Sequence, residues 1–118
     1  MTLAERYKNI LNYFQQHVGK VDSELHYSNE FELLVAVMLS AQCTDKRVNM
    51  VTPSLFKRFP SSKELSEATE TEVFSYIKSI SYPNAKTTHL IAMAKLLEER
   101  FFGKVPQTME ELTSLPGV

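Results

Sequence analysis

The stretch Phe31-Glu-Leu-Leu-Val-Ala-Val-Met-Leu-Ser-Ala-Gln-Cys-Thr-Asp45 decides how this chain is read. Its first part, Phe31 to Leu39, is apolar nearly all round. A helix of that kind has no wet face, so it is expected to run through the middle of a domain. Asn29 stands at the N-cap position with Glu32 three residues on, the spacing of a capping box. The apolar run ends at Ser40-Ala41-Gln42-Cys43, a short polar corner. Thr44 or Asp45 then has the chemistry to cap a second helix.

Helix signals recur outward from this stretch, and no period-2 alternation of any length competes with them. Upstream, Leu3, Tyr7, Ile10, Leu11 and Phe14 form one apolar stripe that ends near Gly19, followed by the unpatterned polar stretch Lys20 to Ser28. Downstream, Val48, Val51, Leu55, Phe56 and Phe59 form a stripe that Pro53 is expected to kink or split. Ser61 with Glu64, and Thr69 with Glu72, frame two further helices; the second carries Val73, Tyr76, Ile77 and Ile80. Ser81-Tyr82-Pro83 breaks the pattern. A long helix follows with Leu90, Met93, Ala94, Leu97 and Phe101 on one face, stopped by Gly103 and Pro106. Thr108 and Glu111 cap a last short helix with Leu112 and Leu115, leading into Pro116-Gly117-Val118. The expected fold class is all-α, with about seven helices in one compact domain. There are no repeats and no low-complexity linker.

Composition limits the function classes. At 118 residues the chain is long enough for one domain with a real core, and its 43% hydrophobic and 23% charged content is that of a globular protein. No apolar run approaches the roughly 18 residues of a membrane helix. The N-terminus has Glu5 and no apolar core of a signal peptide. The single Cys43 excludes an internal disulfide and fits a reducing cytoplasm. Cys43 and the three histidines show no metal-ligand spacing. The net charge of -1 argues mildly against nucleic acid, so any DNA-facing charge must be local. Local charge exists: Lys46 and Arg47 follow the Gln42 corner, and Lys78 and Lys86 flank the Tyr82 corner.

Three segments carry a family resemblance. Leu39 to Asp45 reads Leu-Ser-Ala-Gln-x-Thr-Asp, Leu115 to Val118 reads Leu-Pro-Gly-Val, and Tyr76-Ile-Lys-Ser-Ile80 with Asn84-Ala-Lys86 lie between them. On these residues the chain resembles the endonuclease III family of helix-hairpin-helix DNA glycosylases, in register from Leu3 onward. The resemblance implies an incomplete helix-hairpin-helix glycosylase fold. Residues 1–20 would be the N-terminal helix that in the family packs on a C-terminal domain. Residues 21–118 would be the helical, six-helix-barrel domain, truncated where the hairpin motif starts.

The resemblance also implies a function: base-excision repair by a bifunctional glycosylase and abasic-site lyase that removes oxidised pyrimidines from damaged double-stranded DNA. A glycosylase takes its target base out of the stack, and a side chain must fill the hole. Gln42 sits at a corner where its amide can both donate to and accept from the orphaned base. Tyr82 is the wedge expected for the opposite strand, where a flat ring stacks between bases. Ser81 departs from the family's usual Gly. Leu115, Pro116, Gly117 and Val118 open the phosphate-gripping hairpin, and Lys46, Arg47 and Lys86 are expected phosphate contacts.

The family's Lys nucleophile would fall about three residues past Val118, its Asp further on, so no catalytic residue is expected here and the chain itself is expected to be inactive. Lys104 and Lys86 do not follow a Leu-Pro-Gly-Val-Gly hairpin and are not substitutes. A [4Fe–4S] cluster is expected only in the full-length parent, with no cofactor or metal in this chain. The expected location is the cytoplasm, at the nucleoid, with no membrane partner. The N-terminal stripe, without its C-terminal partners, is a candidate self-association surface. Two alternatives fit less well. An adenine-type glycosylase of the same superfamily has Glu at Ala36 and Gln-Gln at Ser40-Ala41. A non-enzymatic helical DNA-binding or interaction module fits the charge but gives Ser-Ala-Gln-Cys-Thr-Asp no reason to exist.

Overall fold

A computed structural model describes residues 3–16, 25–106 and 108–118, leaving aside the side chains of residues 10, 11 and 13–16. Among them lie seven helices and no strand: α1 Leu3–Gln16, α2 Glu30–Leu39, α3 Asp45–Arg58, α4 Ser62–Ser66, α5 Glu70–Ile77, α6 Pro83–Arg100 and α7 Met109–Thr113. The all-α reading therefore holds.

The apolar run becomes the axis of the domain. Every residue of α2 from Leu33 to Leu39 is at most 3% exposed, and α1, α3 and α6 all pack against it. A helix apolar all round has no other stable place. The 18-residue α6 is the second organiser, with α4 and α5 laid along it. Its Leu90, Met93, Ala94 and Leu97 are wholly enclosed.

The caps follow the sequence signals. Asn29, Thr44, Thr69 and Thr108 each accept a hydrogen bond from the backbone N–H three residues on. Glu32 closes its box one residue early, accepting from the Ser28 N–H at 2.9 Å. Ser61 behaves differently: its hydroxyl donates to the Glu64 carboxylate rather than accepting from the helix. That hydrogen bond holds the Glu64 pKa below the usual carboxylate range.

Pro53 does not split its helix. α3 runs unbroken from Asp45 to Arg58. The ring is exposed and removes a single backbone donor, while Val48, Thr52 and Leu55 on the opposite side are buried. Packing of that face outweighs one missing bond.

The first two turns of α1 are covered. Ala4 and Tyr7 are fully buried, and the helix lies against α2 and α7. Burial in these apolar surroundings pushes the Tyr7 pKa well above the ordinary phenol range. The remaining stripe side chains, Ile10, Leu11 and Phe14, and the expected stop at Gly19 lie outside the described residues.

Leu39, at the end of the enclosed helix, tests this account. Leu39→Ala is expected to lower stability by about 2 to 5 kcal/mol in chemical denaturation. Met50→Ala, at a side chain 63% exposed, is expected to change it by less than about 0.5 kcal/mol. Equal effects at the two sites would mean that α2 is not the core.

Candidate nucleic-acid interface

The turn from α2 to α3 is tight and strained. Ser40 caps α2, its N–H reaching the Ala36 and Val37 carbonyls. The Cys43 N–H returns to the Ser40 carbonyl at 3.1 Å, and Thr44 starts α3. Between them Gln42 is exposed and has φ +52°. A non-glycine residue in this left-handed region costs about 1 to 2 kcal/mol. The surroundings must impose it.

Two cations grip the turn from opposite ends. The Lys86 ammonium, reaching across from α6, donates to the Leu39 carbonyl at 2.8 Å and the Ala41 carbonyl at 2.6 Å. The Arg6 guanidinium, from α1, donates to the Ser40 hydroxyl at 2.5 Å and to both Asp45 carboxylate oxygens at 2.9 and 3.2 Å. Carbonyls at a helix C-terminus lack intrahelical partners and favour a cation. The turn residues on both sides of Gln42 are thus fixed while Gln42 itself projects outward.

A second left-handed corner precedes α6. After α5 the chain turns on the Ile80 N–H, which donates to the Ile77 carbonyl at 2.8 Å. The Ile80 side chain is buried and anchors the loop. Tyr82 then takes φ +54° and ψ +51° as the N-cap of α6, without a side-chain capping bond. Its ring is 64% exposed. Pro83 follows at the first helical position, where a missing N–H costs nothing. Ser81 is not left-handed, so serine carries no backbone penalty where the resembled family has glycine.

The third segment lies beside the same helix. Leu115 is buried, and the Val118 N–H donates to the Leu115 carbonyl at 3.2 Å. Gly117 has φ +77°, and a Cβ there would sit 2.7 Å from the His89 Cβ and 2.9 Å from its Cγ. Only glycine meets both demands. Pro116 and Val118 are half-buried. Tyr82, Lys86 and His89 follow one another four and three residues apart, along one stripe at the start of α6. Each serves a different segment: its own corner, the Gln42 corner and the Pro-Gly turn.

The charged residues divide. Lys46, Arg47 and Lys78 are exposed next to the two corners, where a phosphate backbone can reach them. Lys86 is not available in the way its sequence position leads one to expect. It is 8% exposed and its ammonium is turned inward onto carbonyls. Burial pushes its pKa down from the ordinary lysine value. A sequence signal for this existed. Lys86 precedes Leu90 by four and Met93 by seven residues, which puts it on the buried face of α6. Arg6 and His89 were not singled out from sequence, because their roles depend on contacts 34 and 28 residues away.

Cys43 is half-buried with a free thiol. An iron–sulfur cluster of the kind the resemblance implies needs four thiolates. The sequence holds one cysteine, and no three His, Cys, Asp or Glu among the described residues converge on a metal site. These residues do not fit a cluster.

α6 thus meets three segments: the Tyr82 corner at its own start, the α2–α3 corner through Lys86, and the Gly117 turn against His89. Residues 35–115 match the family described as HhH-GPD superfamily base excision DNA repair protein, and the chain belongs to that family. Within it, the chain is similar to proteins named endonuclease III. It is 41% identical to that of Rickettsia felis over 98% of this chain and 54% of the relative. It is 36% identical to that of Escherichia coli strain K12 over 100% and 56%. A solved endonuclease III–DNA covalent intermediate, described as an estranged-adenine complex, superposes with a TM-score of 0.80 at 32% identity. That match covers all of this chain and 55% of the other. A thermostable thymine-DNA glycosylase shares the fold with a TM-score of 0.75 at 19% identity. The chain spans about half the length of the curated relatives it matches.

The strain at the corners is measurable. Gln42→Gly and Tyr82→Gly each remove about 1 to 2 kcal/mol of left-handed strain and add about 0.5 to 1 kcal/mol of glycine entropy. Thermal unfolding should therefore show both variants unchanged or up to about 1.5 kcal/mol more stable. Gln42→Val, β-branched, should be destabilised by about 1 kcal/mol or more. Glycine variants that melt well below the parent chain would contradict the assigned backbone.

Proposed function

We propose that this chain supplies the base-flipping face of a DNA glycosylase and abasic-site lyase that acts on oxidised pyrimidines in double-stranded DNA. The observation that carries the reading is that Gln42 and Tyr82, two of the three non-glycine left-handed residues among the described residues, stand exposed at corners that Lys86 joins, while the third, Phe102, lies past the far end of α6. Strain of this kind persists where a surface needs a side chain held in one direction. The amide of Gln42 satisfies the Watson–Crick edge of the base left behind by flipping. The Tyr82 ring stacks where the strand is opened. Lys46, Arg47 and Lys78 hold the flanking phosphates, and the Leu115–Val118 turn begins a backbone grip on another. The estranged adenine named for the endonuclease III complex is consistent with the role given to Gln42.

Bond cleavage is assigned elsewhere. By the family resemblance the nucleophilic Lys and the Asp are not among these 118 residues, and Lys86 is occupied with carbonyls. Ala36, fully enclosed in α2, presents no acid for adenine-type chemistry. The reading places the protein in the cytoplasm at the nucleoid; no described helix is long and apolar enough to cross a membrane. Tyr7 is already covered and Leu3 is half-buried, so self-association through the α1 stripe rests on what remains of it, Leu3, Ile10, Leu11 and Phe14.

Binding to duplex oligonucleotides tests the reading. The chain should bind an abasic-analogue duplex with micromolar or weaker affinity at physiological salt, and the affinity should fall steeply as salt rises. Gln42→Ala and Tyr82→Ala should each reduce the preference for the abasic over the undamaged duplex roughly tenfold. Borohydride should trap no covalent complex with a thymine-glycol duplex. Full preference retained in both alanine variants would remove the insertion roles, and efficient trapping would put the nucleophile inside this chain.

A further inference from the structure

We propose that Lys86 is a positioning residue that couples the two corners, so that Gln42 and Tyr82 engage the duplex as one unit; the proposal rests on the insertion reading above. One residue joins both. Its backbone N–H closes the first turn of α6 onto the Tyr82 carbonyl at 3.1 Å. Its side chain reaches 47 and 45 residues back to the Leu39 and Ala41 carbonyls, the latter adjacent to Gln42. Both grips are short, and one atom makes both side-chain bonds. A shift of the α2–α3 turn therefore moves the ammonium, and through four methylenes the start of α6.

The chemistry suits a tether better than a phosphate contact. A lysine head normally snorkels to water. Here it is enclosed, and its burial is offset by two carbonyl acceptors at a helix C-terminus. Arg6 holds the far side of the same turn on Ser40 and Asp45, whereas Lys86 makes hydrogen bonds at both corners.

The test compares abasic-analogue and undamaged duplexes at low salt, with the full chain carrying Lys86→Met, Lys86→Arg, Gln42→Ala, Tyr82→Ala and the pairwise combinations. The ratio of the two affinities, measured on folded protein, is insensitive to a mere loss of stability. Lys86→Met keeps the stem and removes the donors. It should lower the abasic preference roughly tenfold while leaving undamaged-duplex affinity within about twofold. In that background Gln42→Ala and Tyr82→Ala should each lower the preference by less than about threefold further. Lys86→Arg restores charge and donors and should recover most of the preference. The proposal is overturned by an unchanged ratio in Lys86→Met, by full single-mutant effects persisting in its background, or by Arg and Met behaving alike. If Gln42→Ala and Tyr82→Ala are silent in the parent chain, the insertion reading itself has failed. Should Lys86→Met not fold, Lys86→Gln, which shortens the stem and removes the charge, replaces it and ¹⁵N relaxation reads the result. Motion should rise at the Gln42 and Tyr82 amides together; motion at one alone, or at neither, refutes the coupling.

Discussion

The carbonyls at the C-terminus of α2 have nowhere to go, and the architecture around the candidate site follows from that. A surface helix offers its last carbonyls to water. α2 is enclosed from Leu33 to its end, so that end must find donors within the protein, since an unmet buried carbonyl costs about 1 to 3 kcal/mol. Ser40 and Lys86 supply them. The Ser40 hydroxyl folds back on Val37, and the lysine crosses from α6 to meet Leu39 and Ala41. The chain then has three residues in which to reverse and start α3. Gln42 is forced into the left-handed region by this geometry, with Arg6 and Thr44 holding the exit.

The same economy governs α6. Its start carries the second left-handed residue, its first buried turn carries the lysine, and its next turn carries the His89 side chain that demands a glycine at 117. A single rigid element therefore sets the relative placement of three segments far apart in sequence. Rigid helices hold such geometry better than loops do, because their dihedrals are already fixed by packing. The site is built of loops in name only.

Helix positions were legible in the sequence because capping residues and apolar stripes act over three to seven residues. Asn29, Thr44, Thr69 and Thr108 cap as their spacing indicates, and the central place of α2 follows from its composition. Pro53 does not split α3, because there a local rule met a tertiary face that outweighs it. Gln42 and Tyr82 were legible as corners, but their left-handed backbone was not, since neither residue type announces it. Lys86 shows the limit most clearly. Its residue type points to solvent and its register points to the core. Only the partner carbonyls, more than forty residues away, say which wins.

The net charge of -1 has a structural explanation. Nine of the fourteen acidic residues lie in the first turns of helices: Glu5, Glu30, Glu32, Asp45, Glu64, Glu70, Glu72, Glu110 and Glu111. There they complement helix dipoles and close capping boxes, a requirement of a fold made from many short helices. Asp45, the acid nearest the Gln42 corner, is neutralised by Arg6 at 2.9 Å. α6, which starts at the Tyr82 corner, has no acid in its first turn. Salt screens exposed charges beyond about 8 to 10 Å, so a net charge summed over the whole chain says little about the field beside Lys46, Arg47 and Lys78, where the nearby groups count most.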